Sequence, residues 1–195
     1  DLLSHGADIC TIGESEITLV ELLDALNFNE PLENVKGIAY SKDSKIEFTH
    51  QRSLLPMDGI LRPAFELVDY EKYVDFRLQS IPGHYLRSGF IFGSRGCPYR
   101  CEFCTTHIRS SYRERSIDDL IDEIEWQINK FNIEGFVVLD DLFYFRESRT
   151  VEFCKKIIER KIKTKFFCHA RVDKVKKETV ELMKNAGVLL LAIGV

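Results

Sequence analysis

The sequence predicts an α/β fold built on a parallel sheet covered by helices, and three observations carry that prediction. Short apolar runs near residues 89, 135, 165 and 188 alternate with amphipathic stretches of helical length. GFVVL at 135–139 is apolar throughout, as strands buried on both faces are. Each strand–helix repeat takes about 25–45 residues, the length of a βαβ unit in a barrel or a doubly wound sheet. Periodicity alone does not choose between those two.

The chain opens with ADICTI at 7–12, an apolar run ending at Gly13. The following GESEITLVELLDALN places Leu19, Leu22, Leu23 and Leu26 at helical spacing. Strand, glycine turn and helix read as the last βα unit of an open α/β domain, assigned to residues 1–30. The first methionine is Met57, and the last residues, VLLLAIGV, stop inside an apolar run. The sequence is therefore expected to be a fragment of a longer protein.

Residues 31–86 read as a hairpin and a connector. Val35–Tyr40 and Lys45–His50 flank the polar SKDS, which predicts a β-hairpin with a four-residue loop. Pro56, Pro63 and Pro82 then interrupt a stretch with no steady period.

Residues 87–195 are regular. GFIFG at 89–93 predicts a buried strand. Ser116 starts a helix as N-cap, with Asp119 three residues on and an apolar stripe of Ile117, Leu120, Ile121, Ile124, Ile128 and Phe131. GFVVL at 135–139 is a second strand, ended by Asp140 and Asp141. A helix over 147–161 turns Val151, Cys154, Ile157 and Ile158 inward. Lys165–Ala170 is a third strand, Asp173–Ala186 a third helix closed by Gly187, and Val188–Ile193 a fourth strand.

With 45% hydrophobic and 30% charged residues, the composition is that of a soluble globular protein. No apolar run approaches the roughly 20 residues of a membrane span, and the start lacks a signal peptide's pattern. A net charge of −4 and a pI near 5.8 argue against a general nucleic-acid binder. Six cysteines without an export signal read as reduced thiols of the cytoplasm.

Three of those cysteines, Cys97, Cys101 and Cys104, fall in one octapeptide with C-x3-C-x2-C spacing. A structural zinc site usually takes two pairs of ligands, and only one C-x2-C pair exists here. His107 as a fourth ligand keeps a zinc module open as the alternative. Three thiolates instead suit an iron–sulfur cluster with one iron left for a non-protein ligand. Arg95, Arg100, Arg109, Arg113 and Arg115 crowd the same loop. They read either as a solvated face or as cations that raise a cluster's potential or bind an acidic partner.

SRGCPYRCEFCTT resembles the cluster loop of the radical S-adenosylmethionine superfamily, with Phe103 as the aromatic before the third cysteine. The resemblance implies a partial (β/α) barrel of the radical SAM type, of which 87–195 supplies the first strands. It implies that Cys97, Cys101 and Cys104 hold a 4Fe–4S cluster whose open iron is chelated by S-adenosylmethionine. It further implies that one electron cleaves the sulfonium to methionine and a 5′-deoxyadenosyl radical. Phe103 joins the cofactor-binding residues on the same ground. VLDDLF is similar to the family's DD-x-F, which assigns Asp140 to the methionyl amine. HARVD places Arg171 where it can bind the cofactor's carboxylate or pair with Asp173.

The front half is similar to one large subgroup, in which a cobalamin-binding Rossmann-like domain, a hairpin (here Gly37, Ile38, Tyr40) and a proline-rich connector precede the barrel. Cobalamin and methyl transfer follow from that domain order alone. A radical enzyme of another reaction type, without cobalamin, is the rival within the family. The implied partners are a small-molecule or peptide substrate and an electron donor such as flavodoxin or ferredoxin. Neither nucleic acid nor a membrane is expected.

Overall fold

The computed structural model describes residues 2–74, 85–102, 104 and 111–194. Phe103, His107, Arg109 and Pro82 lie outside them. The chain divides into two compact units, Asp1–Ile60 and Leu61–Val195.

In the first unit, β1 (Ile9–Thr11), β2 (Ile38–Lys42) and β3 (Lys45–Phe48) form an antiparallel sheet in that order. Helix α1 (Glu16–Phe28) packs Leu22 and Ala25 against Val35, Ile38 and Tyr40. Of the four leucines at helical spacing only Leu22 is buried, while Leu19, Leu23 and Leu26 are 48%, 56% and 51% exposed. The buried stripe is Thr18, Leu22 and Ala25, one step round the helix. The hairpin loop is also shorter than the sequence predicts. Lys42 pairs with Lys45, leaving Asp43 and Ser44 as a two-residue turn with φ of 50° and 62°. Positive φ at both positions is the type I′ geometry, which follows the twist of the strands.

The second unit carries a parallel sheet of β4 (Ser88–Ile91), β7 (Gly135–Val138), β8 (Lys165–Arg171) and β9 (Val188–Gly194), adjacent in sequence order. Between the first two lie the short strands β5 (Ser94–Arg95) and β6 (Arg113–Glu114), then α2 (Ile117–Phe131). Helices α3 (Glu147–Glu159) and α4 (Lys177–Asn185) make the remaining crossovers. A doubly wound sheet reverses its strand order at a switch point. This one does not. It also wears its helices on one face: Phe136, Val138, Phe166, Cys168 and Ala170 form one core with the apolar residues of α2, α3 and α4. Alternate residues Val137 and Phe167 point to the other face, with Leu86, Phe90, Leu189 and Ala192. Sequential order and one-sided cover are those of an open barrel arc.

Two helices depart from their expected phase or bounds. In α3 the buried stripe is Thr150, Phe153, Cys154 and Ile157, and Ile158 is 43% exposed. Helix α4 starts at Lys177, not Asp173, because residues after β8 turn first: the Lys174 N–H reaches the Arg171 carbonyl at 3.1 Å. Gly187, φ 97°, follows α4 as predicted, where a Cβ would stand 2.3 Å from the Thr164 carbonyl oxygen. Ser116 caps α2 by accepting the Asp119 N–H at 3.2 Å. Phe65 and Tyr70, in the connector, stack at 4.5 Å beside Trp126 and Phe131. No helix among the described residues is long and apolar enough to cross a membrane.

Candidate active site

The cysteine loop leaves the sheet just past the C-terminal end of β4, the end at which (β/α) barrels carry their chemistry. Its two ends are tied together at the base. Ser94 pairs with Glu114 and Arg95 with Arg113, and the Arg115 N–H donates to the Gly93 carbonyl at 3.0 Å. Gly96, φ 83°, begins the excursion, and a Cβ there would lie 2.7 Å from the Ser111 carbonyl oxygen. The loop is thus closed by a two-residue neck.

Side chains from later elements fasten that neck. Asp140, which follows β7, is buried, and its two oxygens accept the Gly93 N–H and the Ser94 hydroxyl at 2.6 Å each. Burial pushes the Asp140 carboxyl above the usual carboxylate range, opposed by those hydrogen bonds and the nearby Arg149 guanidinium. Arg149, on α3, is buried too. It donates to the Gly93 carbonyl at 3.0 Å and the Arg115 carbonyl at 2.6 Å.

Arg115 belongs to this scaffold as well. Its guanidinium meets Glu123 at 2.6 Å, Asp119 at 2.7 Å and the Phe92 carbonyl at 3.0 Å. The reading of Arg115 as a cation of the loop's surface is corrected: it is 8% exposed and anchors α2 to the strand end. Glu114 is likewise engaged, by Arg146 and Arg149. Arg100 remains exposed on the loop.

Cys97, Cys101 and Cys104 are half-buried and form no disulfide. The Cys104 N–H donates to the Cys101 carbonyl at 2.9 Å, so the C-x2-C segment is a turn. Among the described residues, no three Cys, His, Asp or Glu side chains stand close enough together to hold a metal ion. The other cysteines are apart: Cys154 and Cys168 are buried in the core, and burial pushes the Cys154 thiol up to about 12. Arg171, at the C-terminal end of β8, reaches the cysteine loop. Its Nη1 approaches the Cys101 Sγ at 3.5 Å, and its guanidinium lies 4.0 Å from the centre of the Tyr99 ring.

A family model described as the radical SAM superfamily matches residues 91–195, more than half of the sequence. The chain belongs to the radical SAM superfamily. Among curated relatives, an uncharacterized methyltransferase of Pyrococcus horikoshii is 26% identical, over 96% of this chain and 40% of its own length. The anaerobic magnesium-protoporphyrin IX monomethyl ester cyclase of Cereibacter sphaeroides is 28% identical, over 96% of this chain and 31% of its own. Among solved structures, the cobalamin-dependent S-adenosylmethionine radical enzyme OxsB superposes with a TM-score of 0.74 at 24% identity, over 96% of this chain and 28% of that one. The chain spans well under half the length of these relatives.

In this radical SAM fold, the structure brings Cys101 and Arg171 together and sets Asp140 below the loop. Sequence reasoning missed Ser94, Tyr99 and Arg149. A charged residue on an amphipathic helix carries no local sign of burial, so only the fold reveals Arg149.

Proposed function

We propose that this chain carries the S-adenosylmethionine-cleaving part of a radical enzyme, with Cys97, Cys101 and Cys104 holding a 4Fe–4S cluster. The observation that carries the reading is the loop itself: three accessible thiols on one excursion, tied at the C-terminal end of the first strand of a barrel arc. The donor set suits such a cluster, since thiolates are its ordinary ligands and none is consumed in a disulfide. Bound there, the cluster would supply the one electron that cleaves S-adenosylmethionine to methionine and a 5′-deoxyadenosyl radical.

The chain's own residues position and enclose. Asp140 and Arg149 fix the neck; as a ligand of the methionyl amine, Asp140 would have to share oxygens that already accept two hydrogen bonds. Phe103, next to Cys104, is assigned to the cofactor by its place in the motif. Residues 1–30 are assigned to the end of a Rossmann-like domain, 31–86 to a hairpin and connector, and 87–195 to the barrel. Cobalamin-dependent methyl transfer to a small molecule or peptide is the reaction we favour, supported by the methyltransferase name of one relative and the domain order. Flavodoxin or ferredoxin is the electron donor in this reading.

Anaerobic reconstitution of the full-length protein with iron and sulfide tests the proposal. We expect a reducible cluster whose EPR signal changes on adding S-adenosylmethionine, lost in Cys97→Ala, Cys101→Ala and Cys104→Ala. Colourless wild-type protein that retains stoichiometric zinc would instead support the zinc module with His107.

A further inference from the structure

Arg171 sits where the third barrel strand meets the cysteine loop, and each nitrogen of its guanidinium already makes a contact. The Nε and Nη2 edge faces Asp173, at 2.9 Å and 3.3 Å to its two carboxylate oxygens. That fork is the arrangement in which a guanidinium recognises a carboxylate. The flat face lies on Tyr99, 4.0 Å from ring centre to Cζ, within the range of a cation–π contact. The remaining nitrogen, Nη1, points at the Cys101 sulfur from 3.5 Å. Tyr99 in turn packs edge-on against Phe145, at 5.9 Å, and Phe145 packs against Tyr112 at 4.6 Å. The loop's Pro98–Cys101 segment is therefore seated on a shelf made by Arg171 and Phe145.

We infer that Arg171 is a positioning residue for the cluster loop, clamping Tyr99 and donating an N–H···S bond to Cys101, and not the ligand of the cofactor's carboxylate. The inference rests on the proposal that Cys101 is a cluster ligand. The side-on edge of its guanidinium is occupied from within the chain: a carboxylate arriving there would have to displace Asp173, and one arriving end-on at Nη1 and Nη2 would have to break the contact with the Cys101 sulfur. The edge left over faces sulfur. A cation that hydrogen-bonds a ligating thiolate stabilises the more negative, reduced state and so raises the reduction potential. Arg171 is a third exposed at its side chain, so replacing it leaves no buried hole.

The test uses the full-length protein, reconstituted anaerobically, with Arg171→Gln and Tyr99→Leu. In R171Q we expect cluster reduction to become about tenfold less favourable, 59 mV more negative for a one-electron couple, in a titration followed by EPR without S-adenosylmethionine. Affinity for S-adenosylmethionine should stay close to that of wild type. In the apoproteins, trypsin should cut after Arg100 faster in R171Q and Y99L than in wild type, a readout that needs no cluster and follows local opening. Loss of the cluster from R171Q with the fold intact by circular dichroism would also support the clamp. An unchanged potential and unchanged cleavage, with S-adenosylmethionine binding at least tenfold weaker, would overturn the inference and make Arg171 the carboxylate ligand. Wild-type protein that takes up no cluster would sink the cluster assignment itself, and the inference with it.

Discussion

Asp140 is held in a place where its charge is costly. Its carboxyl is buried beside Gly93 and Ser94, and burial raises its pKa above that of an unfolded aspartate. The unfolded chain therefore ionises first as pH rises. The stability this group contributes is full below the ordinary carboxylate range and is lost as pH climbs through the raised value. D140N does not titrate, so its melting temperature should gain on wild type as pH rises through the range that opens at the ordinary aspartate value, about pH 4. A gap that stays constant across that range would show that the buried carboxyl is ionised in both states. At this scale the cysteine trio was legible in the sequence, because its spacing is local and its chemistry belongs to the residue type. Asp140 was legible as a strand-end acid. Its partners lie 46 and 47 positions away along the chain, and no local pattern joins them.

Strands and helices of the second unit were legible because each carries its own period. Six apolar positions of α2 form the stripe that the helix turns to the core. What escaped was phase and termination. Helix α3 buries Phe153 and exposes Ile158, a rotation that apolar content alone does not fix where both flanks of the stripe are apolar. The hairpin loop shrank to two residues because Asp43 and Ser44 accept positive φ, which their side chains permit but do not announce. Gly187 is the opposite case: turn and packing both demand it. Gly187→Ala combines a φ of 97° with a clash against the Thr164 carbonyl, and should cost more than about 1 kcal/mol in urea unfolding. Equal midpoints for G187A and wild type would mean that the α4–β9 turn relaxes at no cost.

For the whole chain, choosing between barrel and doubly wound sheet needed the strand order, which depends on partners 22 to 47 residues apart and is invisible to periodicity. In the first unit, α1 carries apolar residues all round, with Leu19 and Leu23 about half exposed beside the buried Leu22. Contiguous exposed apolar surface promotes association. The double variant Leu19→Lys, Leu23→Lys should leave the stability of this 195-residue chain within about 0.5 kcal/mol while reducing its binding of a hydrophobic dye. A large destabilisation would show that those leucines are packed in solution.

The tied base of the cysteine loop makes the site modular. Both strands of the excursion leave from one two-residue ladder, held from beneath by Asp140 and Arg149, while the Tyr99–Cys101 side of the loop is held separately by Arg171. Anchoring and tuning are thereby divided: the neck answers to Asp140 and Arg149, and the Cys101 side of the loop to Arg171.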